Sequence, residues 1–106
     1  MYAMVRRYRM ATGSMDDLMH KVVDTQFADR LQEQLGILHY QAIDTGDATI
    51  MTVTVFEDED QCRRSEPAAA GVREGLVDFR VEEIHALTGE VRVSRVSEKV
   101  LDPVHH

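Results

Sequence analysis

Eight residues from Thr49 to Phe56 alternate as a strand should. Met51, Val53 and Val55 point to one side and Ile50, Thr52, Thr54 and Phe56 to the other, because successive side chains of a pleated strand face opposite ways. One side is wholly apolar and the other is mixed. Asp44-Thr45-Gly46-Asp47 before this run is a turn signal, and Glu57-Asp58-Glu59-Asp60 after it suits the start of a helix, where carboxylates meet the positive end of the backbone dipole.

The same reading extends along the chain. Tyr2 to Met10 alternates and predicts a first strand. Ala11-Thr12-Gly13 breaks it, and Ser14 with Asp17 predicts a capped helix start. Met15, Leu18, Met19, Val22 and Val23 form an apolar stripe at helical spacing, which Phe27, Leu31 and Leu35 continue on a drifting azimuth. A bend or break near Thr25 and Gln26 is expected, with Gly36 as the left-handed cap. Ile37 to Ile43 predicts the second strand, turning back through Asp44 to Ala48 into the third. Asp58 or a neighbour caps a second helix over roughly 59–77, and Pro67 predicts a kink or two short helices meeting at Glu66 and Pro67. Phe79 to Thr88 gives at most a short extended piece, Thr88-Gly89 reads as a break, and Glu90 to Val96 is the expected last strand.

The order strand, helix, strand, strand, helix, strand is the ferredoxin-like α+β arrangement: a four-stranded antiparallel sheet with both helices on one face. The 106 residues make a single domain, residues 1–106, with about the last six expected as a flexible tail. A domain of this size buries only about 60 to 65% of its unfolded surface. The uncovered face would show residues such as Ile50 and Phe56, or their counterparts, to water, so a homodimer built sheet to sheet is expected.

Charge and cysteine content narrow the partners. Nineteen acidic residues against twelve basic ones give a formal charge of -7, which argues against a nucleic-acid partner. Cys62 is the sole cysteine, so no disulfide forms within the chain. No stretch approaches the roughly 20 apolar residues of a membrane span, and no signal peptide is evident, so no membrane association and a cytoplasmic location are expected. His85 beside Glu82 and Glu83 matches no ligand spacing, and no metal is expected. His105 and His106 are set aside from site reasoning.

The candidate chemistry lies on the strands. His39 could serve as a base near neutral pH, reaching a pocket lined by Arg6 and Tyr8; the alternative is a hydrogen-bonded surface histidine. The Arg6 guanidinium could hold an anionic oxygen, or pair with a carboxylate across the sheet. Tyr8 could donate to a bound molecule, or bury its ring with the hydroxyl at the rim. Thr52 and Thr54 suit a pocket wall and also simply suit a strand. Arg92 is expected beside them on the last strand, and Tyr40 on the opposite face.

Arg6-Arg7-Tyr8, Leu35-Gly36-Ile37, Asp44-Thr45-Gly46-Asp47, Thr52 to Asp58, Ala68 to Val72 and Gly89-Glu90-Val91 together resemble the antibiotic biosynthesis monooxygenase type of dimeric α+β barrel. The resemblance implies a cofactor-independent monooxygenase acting on a small aromatic or phenolic metabolite, in a pocket between sheet and helices, with no cofactor. His39 would deprotonate the substrate, Arg6 and Tyr8 would hold it, and Thr52, Thr54 and Arg92 would line the pocket. Related members degrade haem with Asn and Trp side chains that this chain lacks. The alternative is a non-catalytic dimeric protein that binds a small apolar ligand or only itself.

Overall fold

The structure is a computed structural model that describes residues 1–20, 36–74 and 79–100. Four antiparallel strands, β1 (Tyr2–Met10), β2 (Ile37–Gly46), β3 (Thr49–Phe56) and β4 (Val81–Glu90), form one sheet in the order β2-β3-β1-β4. This is the ferredoxin-like order, with the first strand central and the hairpin β2-β3 beside it. Helix α1 starts at Met15–Asp17, where the Asp17 amide donates to Ser14 Oγ at 3.1 Å, and α2 spans Glu59–Glu74. The expected bend near Thr25 and Gln26 and the stripe through Phe27, Leu31 and Leu35 lie outside the described residues, as do the expected end of α2 near 77 and the tail at 101–106.

Register decides what each face carries. β1 pairs with β3 so that Met4, Arg6 and Tyr8 stand opposite Thr54, Thr52 and Ile50. Directly opposed residues of an antiparallel pair share a face. All of Met4, Arg6, Tyr8, Met10, Ile50, Thr52 and Phe56 are buried, so this is the face the helices cover. Ile50 and Phe56 are therefore core residues rather than part of the uncovered face. Their counterparts Met51, Val53 and Val55 lie on the open side with Val5, Ile43 and Leu87, the last 58% exposed.

Beneath the helices the core divides in two. Tyr8, Met10, Leu18 and Ile50 form one cluster, and Met4, Ile37, Phe56 and Cys62 form the other; Tyr40 packs against both. Fully burying one side chain such as Phe56 or Leu18 contributes about 1.5–3 kcal/mol, so each cluster anchors one end of the sheet.

Three expectations are corrected. The last strand is Val81–Glu90 and not Glu90 to Val96; Gly89 pairs with Ala3 inside the ladder and marks no break. β4 is an edge strand whose side chains are almost all exposed, so Glu82, Glu83 and His85 sit in it without cost, while the valine-rich 91–96 has β propensity but pairs with no strand among the described residues. Helix α2 runs through Pro67 as one helix and not as two short ones. Pro67 and Arg63, whose carbonyl loses its donor, both lie on the solvent side, where that carbonyl is open to water. Finally, β2 continues past Ile43 to Gly46, and the turn itself is Asp47 and Ala48, both with positive φ.

Candidate functional site

Between the two apolar clusters the covered face turns polar. One row across the sheet reads Ala42, Thr52, Arg6, Ala86, from β2 through β3 and β1 to β4. Three of the four are small, and Arg6 is the one long side chain in the row. Tyr40 pairs with Thr54 on one flank, and Tyr8 pairs with Ile50 and Glu83 on the other.

Arg6 occupies the middle and is 8% exposed. Its guanidinium is ion-paired to Glu83 of β4 and to Glu66 of α2, and its Nε donates to Met4 Sδ at 2.8 Å. Burying a guanidinium without partners is costly, and the two carboxylates at the rim meet that requirement while tying helix to sheet. A β-bulge makes the contact possible: the extra residue Ile84 brings Glu83 opposite Tyr8 and onto the covered face, beside Arg6.

Tyr40 was expected on the opposite face. Leu38 is instead an extra residue in β2, so Ile37 pairs with Phe56 while His39 pairs with Val55, which turns Tyr40 under the helices. Burial pushes the Tyr40 phenol well above its ordinary value, with the nearby Tyr8 adding to the effect. Tyr40 is consequently a hydrogen-bond donor throughout the physiological range. On α2, Cys62 faces the same interior, and burial raises its thiol more than Arg6 lowers it. It behaves as a small apolar side chain and not as a nucleophile. Ser65 donates back to the Cys62 carbonyl at 2.6 Å and is satisfied.

Of the residues singled out from sequence, Arg6, Tyr8, Thr52 and Thr54 share the covered face. His39 does not join them. Its partner Val55 places it on the open face, on the far side of the sheet from Arg6 and Tyr8. Arg92 lies beyond the end of β4 in exposed, irregular chain, so it does not stand beside Thr52 and Thr54. Sequence reasoning missed Tyr40, Glu66, Glu83, Ala42 and Ala86. The two bulges that orient Tyr40 and Glu83 carry no sequence signature, although Leu38 interrupting an otherwise regular alternation is a trace of the first. Among the described residues no group of His, Cys, Asp and Glu has the arrangement of a metal site, and no described helix is long and apolar enough to cross a membrane.

No family model matches the chain, and no curated protein matches it. Solved structures do. A dimeric ferredoxin-like protein from an uncultured marine organism superposes with a TM-score of 0.71 at 13% identity, covering 92% of this chain and 100% of that one. SnoaB, a cofactor-independent oxygenase from Streptomyces nogalater, gives 0.69 at 15% identity over 88% of this chain and 94% of its own. A monooxygenase from the ActVA-Orf6 gene of Streptomyces coelicolor, in complex with nanaomycin D, gives 0.66 at 14% identity over 92% of both chains. At such identities the likeness is one of fold. This chain has the ferredoxin-like α+β fold that these proteins share.

Proposed function

We propose that this protein binds a small aromatic or phenolic metabolite on the covered face of its sheet and oxidises it as a cofactor-independent monooxygenase. The observation that carries the reading is the row of small residues Ala42, Thr52 and Ala86 around Arg6, flanked by Tyr8 and Tyr40. Small side chains leave room for a planar ring, and tyrosines offer both stacking surface and hydroxyl donors. The fold shared with two oxygenases supports the same reading.

An electron-rich phenol supplies its own electrons to oxygen. Oxidation of a ring methylene to a carbonyl balances as CH2 plus O2 giving C=O plus H2O, with no outside reductant. The phenolic proton needs an acceptor, and His39 is on the wrong face to take it. In this reading the acceptor on the covered face is a carboxylate, Glu83 opposite Tyr8 or Glu66 paired with Arg6, and Tyr8 relays the proton to it. Tyr40, held neutral, donates to the ring substituents.

A second reading is a dimeric module that binds its ligand without reaction. The engagement of Arg6 by two carboxylates favours it, because the one buried cation on the described part of this face serves the fold already. In either case the open face, with Val5, Ile43, Met51, Val53, Val55 and Leu87, meets a second copy; one structural neighbour is described as dimeric.

Oxygen consumption with a panel of phenols and polycyclic phenols separates the two. Uptake that depends on protein and is lost in Tyr8→Phe supports the oxygenase; saturable binding with no uptake supports the module.

A further inference from the structure

We infer that the site on the covered face selects rings carrying hydrogen-bond donors and no negative charge, and excludes aromatic carboxylates. The inference rests on the ligand site proposed above and narrows its substrate class.

An unengaged arginine in an apolar trough would recruit an anion. Arg6 is not in that condition. Glu83 and Glu66 both pair with it, so the group as a whole carries one excess negative charge. Farther out on the same face, at the strand ends, stand two exposed carboxylates, Asp44 opposite Ile50, which accepts from the Gly46 amide, and Glu90 opposite Tyr2. The other described cations near this face are engaged or turned away: Arg7 and Arg9 are exposed on the far side of β1, Arg80 sits at the turn before β4, and on α2 the exposed Arg63 pairs with Asp60 while Arg64 donates to the Asp60 carbonyl.

Hydrogen bonding points the same way. Carboxylates accept and cannot donate, so a ligand beside Glu66 and Glu83 gains by bringing hydroxyl or ammonium protons. A ligand carboxylate would meet like charge in a site where water is partly displaced, and would have to break the Arg6 pairs to find a cation.

The test uses three probes of nearly one shape: 2-naphthol, 2-naphthylmethylammonium and 2-naphthoate, titrated calorimetrically into the full chain at pH 7. The expected result is binding of the naphthol and the ammonium, with naphthoate weaker by at least about tenfold and the gap closing in high salt. Glu83→Gln, with Glu66→Gln as the independent second variant, should each improve naphthoate relative to naphthol by several-fold. If naphthoate binds unmodified protein as well as or better than naphthol, the charge selection is overturned while the ligand site stands. If neither variant moves the ratio, it is likewise overturned. If none of the three probes binds, the site proposal itself falls and this inference with it.

Discussion

Arg6 in the central strand is ion-paired to Glu83 of the edge strand, and the bulge at Ile84 is what brings the two together. The same guanidinium holds Glu66 of α2, so one buried cation joins the middle of the sheet to its edge and to a helix. Both carboxylates are partly exposed, which screens each pair from the solvent side. Glu83→Gln or Glu66→Gln alone is therefore expected to cost less than about 1 kcal/mol. The double variant leaves the guanidinium buried and unpaired, and is expected to cost about 3 kcal/mol, more than the sum of the singles. Urea denaturation midpoints of the four proteins check the non-additivity.

Tyr40 makes stability depend on alkaline pH. Its phenol is held protonated in the folded state by burial, while in the unfolded chain it ionises near pH 10. The stabilising contribution is fully present below pH 10 and is lost as pH rises above it, since only the unfolded state then gives up the proton. Thermal melts between pH 8 and 11 should show a decline that is shallower in Tyr40→Phe.

Gly36 and Gly89 should respond oppositely to alanine. Gly36, directly before β2, has φ +62°, and a Cβ there would come within 2.7 Å of Gln61 Oε1. Gln61 can swing aside, so the cost is mainly the left-handed backbone, about 1–2 kcal/mol. Gly89 has nothing within 4 Å of its Cβ position. Gly89→Ala is expected to be neutral or slightly stabilising, as measured by the same denaturation midpoints.

Dimerisation through the open face is testable at Val53, which lies in the middle of that face between Gln41 and Val5. In sedimentation velocity the unmodified protein is expected to sediment as a dimer and Val53→Lys as a folded monomer. A dimer that survives the substitution would place the contact elsewhere.

Strand alternation made β1 and β3 legible to the residue, and with them the shared face of Arg6, Tyr8, Thr52 and Thr54. The cap at Ser14 and the turn to positive φ at Gly36 were equally legible, because each depends on a side chain or a glycine acting locally. β4 was not. An uncovered edge strand needs no apolar alternation, so Glu82, Glu83 and His85 concealed it, while Val91, Val93 and Val96 suggested a strand for which the described residues supply no ladder. His39 and Tyr40 were assigned to the wrong faces for a single reason: one extra residue at Leu38 reverses the direction of those that follow.

The most direct test of the account is where a planar phenol touches the protein. Titrating 2-naphthol into the uniformly 15N-labelled chain and following amide shifts should move Arg6, Tyr8, Tyr40, Ala42, Thr52 and Ala86 together. Shifts concentrated instead on His39, Val53 and Val55, or none at all, would contradict a ligand site on the covered face.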